Sequence, residues 1–164
     1  MKLNGKTLMV IGGAGLIGSH TVENLLKNDV KEVVVYDNFT RGREENLAEA
    51  LKDPRISIHD VGGDILQTDI LNAAMKDREI DGVFHLAALW LLQCHDFPRS
   101  AFNTNVAGTF NVMEACVANN INRLVWSSSA SVYGDSVNDP MEEDHPFNNK
   151  NFYGATKICG EAML

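Results

Sequence analysis

The sequence has little of several things, and each shortage excludes something. Its three cysteines, Cys94, Cys116 and Cys159, are odd in number, widely spaced and free of any CxxC pair. That argues against a disulfide framework and suits a reducing cytoplasm. Cys94-His95 is one pair of soft ligands, but no second pair stands at metal-binding spacing, so no metal is expected. Long apolar runs are missing, and no stretch approaches the roughly 20 residues that cross a bilayer. Lys2 and Lys6 precede an apolar run in the manner of a signal peptide. Gly12, Gly13, Gly15 and Gly18 break that run, and no small-x-small cleavage site follows it. Basic residues are few, 14 against 22 acidic ones, for a net charge of −8. An acidic balance argues against nucleic acid and anionic membranes as partners. There is no internal repeat and no low-complexity tract.

What is present is a domain of ordinary composition. The 164 residues are 45% hydrophobic and 22% charged, which fits one soluble globular domain with a real core. The chain is organised around Leu8-Met9-Val10-Ile11-Gly12-Gly13-Ala14-Gly15-Leu16-Ile17-Gly18. A short apolar run ends in glycines, and Ile17, Val22, Leu25 and Leu26 then recur at helical spacing. This reads as strand, tight turn and helix. Gly12 can take backbone angles closed to other residues, Gly15 lets a ligand approach the backbone, and Gly18 lets helix and strand pack closely. The helix N-terminus offers open N–H groups and partial positive charge to a pyrophosphate. A second strand, Lys31 to Tyr36, ends at Asp37, 19 residues after Gly18. An acidic residue about 20 residues on is the partner of an adenosine ribose.

The alternation of strand and helix continues through the chain. Strands are expected at Lys6–Ile11, Glu32–Tyr36, Ile56–His59, Gly82–Leu86 and Arg123–Ser127. Helices are expected at Gly15–Asn28, Arg43–Leu51, Gln67–Lys76, Ser100–Ala118 and from Phe152 to Leu164, with a polar loop from Gly134 to Asn151. Near-continuous apolar strands joined by helices imply an α/β fold, a parallel sheet covered on both faces. Right-handed crossovers give a Rossmann-like, doubly wound sheet of order 3-2-1-4-5. Strand five is expected at an exposed apolar edge. Met163 and Leu164 stand inside a helical pattern without a stop signal, so the sequence reads as the first part of a longer protein.

Two polar clusters follow the carboxyl ends of the strands, where such sheets bind ligands. One is Ser127-Ser128-Ser129; the other is Tyr153-Gly154-Ala155-Thr156-Lys157. In a helix Tyr153 and Lys157 share a face. A free tyrosine titrates near pH ~10 and is a poor base at neutrality. A neighbouring ammonium, or the positive ring of an oxidised nicotinamide, stabilises the phenolate. A serine hydroxyl can then bond the substrate oxygen while hydride leaves its carbon.

These features together resemble the extended short-chain dehydrogenase/reductases, the NAD-dependent nucleotide-sugar epimerases and dehydratases. The resemblance spans the chain. Its motifs are Gly12-x-x-Gly15-x-x-Gly18, Tyr36-Asp37-Asn38, Gly63-Asp64-Ile65, His85-Leu86-Ala87-Ala88, Asn105-Val106-Ala107-Gly108-Thr109, Ser127 through Gly134, and Tyr153-x-x-x-Lys157. It implies NAD as cofactor, with Leu16 and Ile17 at the pyrophosphate and Asp37 and Asn38 at the adenosine ribose. It puts Asp64 and Ile65 beside the adenine, and Leu86, Ala87, Ala88 and Thr104 along the cofactor. Ser129, Tyr153 and Lys157 become the catalytic trio, Lys157 also reaching the nicotinamide ribose. Residues 1–164 then form the NAD-binding domain, and the family's later, substrate-binding half is absent.

Dehydratases of the family usually carry an Asp-Glu pair after the first Ser/Thr residues, and here those positions are Ala130 and Ser131. Neither can act as an acid or base for removing water. The stretch resembles UDP-glucose 4-epimerases, which implies a 4-epimerase working through a transient 4-keto sugar on a UDP-sugar. The alternatives are a dehydratase, reductase or decarboxylase of the same family, or a cofactor-binding domain without turnover. Asp37 favours NAD because a carboxylate repels a 2′-phosphate, while Arg41 is the nearby group that would favour NADP. The resemblance also implies a homodimer through the helices Ser100–Ala118 and Phe152–Leu164, with Val112, Cys116 and Ile158 as an outward apolar patch. The apolar run Leu89-Trp90-Leu91-Leu92 departs from the polar residues of many relatives and reads as core in preference to a pocket wall. His20, His59 and His145 read as surface or loop residues, His85 as a packed strand-end histidine, Trp126 as core, and Glu142 to Asp144 as solvated loop.

Overall fold

The computed structural model describes residues 2–59 and 61–164. Five parallel strands, β1 (Thr7–Ile11), β2 (Glu32–Tyr36), β3 (Ile56–Ile58), β4 (Gly82–His85) and β5 (Arg123–Trp126), lie in the order β3-β2-β1-β4-β5. The expected order holds. Helices are α1 (Leu16–Leu26), α2 (Thr68–Asp77), α3 (Leu91–Asp96), α4 (Pro98–Ala101), α5 (Thr109–Ala118) and α6 (Phe152–Met163).

The period-2 alternation of a strand sends successive side chains to opposite faces. Leu8 and Val10 of β1 meet Val33 and Val35 of β2 under Val22, Leu25 and Leu26 of α1. Met9 and Ile11 meet Val34 and Tyr36 on the other face, under Leu71 and Met75 of α2 and Val112 and Ala115 of α5. Burying both faces of β1 completely explains its unbroken apolar sequence. Each such Val or Leu contributes roughly 1.5–3 kcal/mol relative to an exposed one. β5 is an edge strand, with Val125 42% exposed, and its Trp126 is half-buried instead of fully core.

Contacts divide the chain into two compact units. One runs up to Ala87 and resumes over Asn111–Trp126, so it holds the whole sheet; the other comprises Ala88–Phe110 and Ser127–Leu164.

Four expectations need correction. The stretch Arg43–Leu51 is two short 3-10 turns, Glu44–Leu47 and Ala50–Lys52, not an α-helix. Its start is tied to the glycine turn, since the Arg43 N–H and the Asn46 side chain both donate to the Ala14 carbonyl. The long helix begins earlier, at Pro98, whose ring suits a first helical position, and is π-helical over Phe102–Gly108. An extra helix, α3, precedes it. Val112 and Cys116 are not outward: they are 0% and 5% exposed and pack on the sheet, while Phe110 and Val117 of α5 are 48% and 80% exposed.

Candidate functional site

In the sheet-bearing unit, the turn after β1 leaves no room for side chains at two of its glycines. Gly12 has φ +80°, and a Cβ there would lie 2.7 Å from the Ala87 backbone nitrogen. A Cβ at Gly18 would lie 2.0 Å from the Gly12 carbonyl oxygen, which is what draws α1 against the strand. Gly15 is different. Its Cβ would meet only the Gly12 oxygen, at 3.2 Å, so the space outside it is open. Gly15 also caps α1, which has no side-chain cap and no acidic residue in its first turn. Leu16 and Ile17 are 76% and 66% exposed. Large apolar residues on the first turn, beside uncapped amides, form an open helix N-terminus suited to an anion.

Asp37 lies at the end of β2, only 7% exposed. Its carboxylate accepts the N–H of Ala14 at 2.9 Å and that of Phe39 at 2.8 Å. One group thus ties the glycine turn to the end of the second strand. Gly42 presses on it, since a Cβ there would stand 2.9 Å from both carboxylate oxygens. Asn38 is exposed, its side chain accepting the Thr40 N–H at 3.1 Å. Gly63 packs so closely that a Cβ would lie 2.4 Å from the Asp37 nitrogen. This brings the Gly63-Asp64-Ile65 motif to the end of β2. Asp64 is half-buried and its carbonyl accepts the Tyr36 hydroxyl at 3.2 Å. Burial, with the Asp64 charge adding to it, pushes that hydroxyl up to about 12. The Ile65 side chain belongs to the core, and its carbonyl accepts from Asn111 at 2.9 Å. Leu86 and Ala87 are half-buried after β4, Ala87 backing on Gly12.

The second unit holds Ala88, Thr104, Ser129, Tyr153 and Lys157. Asn151 caps α6 by accepting the Gly154 N–H at 2.7 Å. Gly154 lets the first turn of α6 press on the short turn Ala130–Val132; a Cβ there would lie 2.4 Å from the Ser131 carbonyl oxygen. That packing brings the start of Tyr153's helix against the turn that Ser129 opens. Ser129 accepts the Ser131 N–H at 3.2 Å, which leaves its own O–H to donate elsewhere. Tyr153 is half-buried. Lys157 is 3% exposed, its Nζ donates to the Ser127 carbonyl at 2.8 Å and stands 5.7 Å from the centre of the Tyr153 ring. Burial lowers the amine to about 8, with Cys94 acting in the opposite direction. At pH 7 the amine is still mostly charged, so a buried cation lies beside the tyrosine.

A residue with no assigned role in the sequence reading is central here. Asn105, 2% exposed in the π-helical stretch, accepts the Leu89 N–H at 2.7 Å and donates to the Leu89 carbonyl at 2.9 Å. It also reaches Thr156 Oγ1 at 3.3 Å. A wide π turn carrying a polar side chain inward is a recurrent mark of functional helices. Among the described residues no group of three or more His, Cys, Asp or Glu could hold a metal. None of the described helices is long and apolar enough to cross a membrane.

Known proteins share this fold and sequence pattern. Residues 8–164 match the model of the NAD dependent epimerase/dehydratase family. A UDP-glucose 4-epimerase of Dictyostelium discoideum is 36% identical over 160 residues, which are 96% of this chain and 46% of that protein. A crystal structure of UDP-glucose 4-epimerase from Brucella ovis in complex with NAD superposes with TM-score 0.87 at 32% identity, over 97% of this chain and 46% of that one. A UDP-N-acetylglucosamine 4-epimerase from Methanobrevibacter ruminantium M1, in complex with UDP-N-acetylmuramic acid, gives 0.87 at 34% identity, over 98% and 50%. The chain spans about half the length of the relatives it matches.

Proposed function

The chain belongs to the NAD dependent epimerase/dehydratase family, and from that premise we propose that it is the NAD-binding, catalytic part of a nucleotide-sugar 4-epimerase acting on a UDP-sugar. The observation that carries the reading is Lys157, a buried, mostly charged amine beside Tyr153, in a chain with the glycine cradle and Asp37.

The residues fit a dinucleotide. Gly12 and Gly18 shape a tight turn that admits no side chain, Gly15 leaves open the space a side chain would fill, and the open start of α1 suits the pyrophosphate. Asp37 and Asn38 would hold the adenosine ribose, and Asp64 would border the adenine. When bound, NAD supplies a two-electron acceptor, and then donor, for the sugar carbon.

The remaining work belongs to this chain. Tyr153 takes the proton of the sugar's 4-hydroxyl as that carbon is oxidised, and returns it after the 4-keto sugar has turned over. Lys157 stabilises the phenolate. Ser129 donates its O–H to the reacting oxygen, since the Ser131 N–H already occupies one of its lone pairs. Ala130 and Ser131 lie in the turn after Ser129 without a carboxylate, which favours epimerisation over loss of water. The expectations of a cytoplasmic homodimer belong to the same reading. For the dimer the exposed Phe102 and Phe110 replace the buried Val112 and Cys116.

The test is incubation of the protein, as its native source makes it, with NAD and a panel of UDP-sugars. Products are resolved by NMR and mass. The 4-epimer at unchanged mass is expected; a product lighter by one water, with no epimer, would establish a dehydratase.

A further inference from the structure

The apolar run Trp90-Leu91-Leu92 is 42%, 43% and 53% exposed, so it is surface and not core. The loop between β3 and α2 is held from inside. Residues 61–67 form no strand or helix, so their backbone groups have no ladder to join. Two side chains from regular elements take consecutive carbonyls of this loop. The Tyr36 hydroxyl, at the end of β2, donates to the Asp64 carbonyl at 3.2 Å. The Asn111 carboxamide, on α5, donates to the Ile65 carbonyl at 2.9 Å. Tyr36 is 0% exposed and shares a core cluster with Ile65 and with Val112, the neighbour of Asn111, so both donors stand on packed scaffold. Burial and the Asp64 charge push the Tyr36 hydroxyl up to about 12, which keeps it a donor at neutral pH. A peptide unit is planar, so holding the Asp64 C=O at Tyr36 aims the Ile65 N–H to the opposite side. Among the described residues no hydrogen bond engages that N–H. One Asp64 carboxylate oxygen accepts the Leu66 N–H at 2.9 Å, which leaves the other for a donor.

Resting on the reading above, in which Asp64 borders the adenine of NAD, we propose that Tyr36 and Asn111 are positioning residues for the cofactor's base. They fix the peptide that carries the Ile65 N–H beside the Asp64 carboxylate, and with it the choice of adenine over a base of reversed hydrogen-bond pattern. Adenine offers an amino donor next to a ring-nitrogen acceptor, the complement of a carboxylate next to an N–H. Hypoxanthine has a carbonyl in place of the amino group and an N–H at the ring nitrogen, so both pairings are lost. A site built to hydrogen-bond one pattern rejects the other because its own polar groups are then left unpaired. Without the two donors the loop can turn its peptide planes, and the discrimination falls while the phosphate and ribose contacts remain.

The experiment uses the natural-length protein freed of nucleotide. NAD and its hypoxanthine analogue are titrated by calorimetry into the wild type, Tyr36→Phe and Asn111→Leu, and melting temperatures are recorded. Tyr36→Phe keeps the ring, and the Asp64 carbonyl still accepts the Gln67 N–H at 3.0 Å, so this variant should fold. Should Asn111→Leu fail to fold, Asn111→Gln, which moves the same donor by one methylene, takes its place. The wild type should prefer NAD at least tenfold. That preference should fall at least threefold in the variants, through weaker binding of NAD. A merely structural role would weaken both dinucleotides alike, so an unchanged ratio in both variants would overturn the proposal. Equal affinities in the wild type would overturn it as well. If the wild type binds neither dinucleotide, the NAD reading itself fails, and the positioning role falls with it.

Discussion

Lys157 Nζ stands 5.7 Å from the centre of the Tyr153 ring while donating to the Ser127 carbonyl at 2.8 Å. The amine is therefore held between the Ser127 carbonyl and the Tyr153 ring. Its burial has a measurable consequence for folding. The folded amine titrates at about 8, below its ordinary 10.5, because burial disfavours the charge. Between those values the unfolded chain binds a proton that the folded one does not, so stability rises as pH climbs from about 8 to about 10.5. Urea midpoints across this window should rise for the wild type relative to Lys157→Met. Parallel curves for the two proteins would contradict the burial of a charged amine.

Tyr153→Phe keeps the ring and removes the phenolic oxygen, the base on the proposed mechanism. NAD affinity should stay within about twofold, while turnover of the natural-length protein should fall by ~10²–10⁴. A variant that keeps more than a tenth of the wild-type rate would require another base.

Gly15→Asp puts a carboxylate at the cap of α1, where its Cβ meets only the Gly12 oxygen. The backbone should tolerate it, with φ at −74°. The charge should not be tolerated by a pyrophosphate at the helix N-terminus. NAD affinity by calorimetry should drop at least tenfold with the melting temperature little changed. Unaltered affinity would move the phosphates elsewhere.

Asp37 has two tasks that one measurement can separate. As a carboxylate it should make NAD bind more tightly than NADP, and equal dissociation constants would give Arg41 the deciding role. As the acceptor of the Ala14 and Phe39 N–H groups it should also support the fold. Asp37→Ala strands two backbone donors, at a cost of about 1–3 kcal/mol for each that stays buried. Asp37→Asn, which retains one acceptor oxygen, should lose less stability but as much cofactor selectivity.

Phe102 and Phe110 are 45% and 48% exposed, large enough to support a contact between copies of the chain. Light scattering should show self-association that Phe110→Asp weakens. A monomer at high concentration for the wild type would remove the dimer from the account.

The sheet was legible because parallel strands buried on both faces have unbroken apolar sequences, as Leu8–Ile11 and Val33–Tyr36 show. The glycine turn was legible because backbone contacts such as Gly18 on Gly12 forbid a side chain, and that leaves a written trace. The burial of Val112 and Cys116 was missed because α5 is apolar on more than one side, so periodicity did not say which side meets the sheet. The role of Asn105 was missed for another reason. Its hydrogen bonds to Leu89 join residues 16 apart in sequence, and such a tertiary contact has no local signature. α3 was the recoverable miss, since Pro98 after Phe97 signals the start of a new helix and hence the end of an earlier one.

The unit bearing Ser129, Tyr153 and Lys157 is built from two separate lengths of chain, Ala88–Phe110 and Ser127–Leu164. The sheet-bearing unit supplies the segment between them. For recombination between relatives this fixes where crossovers can fall. Exchanging only the later segment would pair one parent's Thr156 with the other parent's Asn105, and one parent's Lys157 with the other's Cys94. Chimeras should therefore keep the buried environment of Lys157 only when they inherit both segments from the same parent.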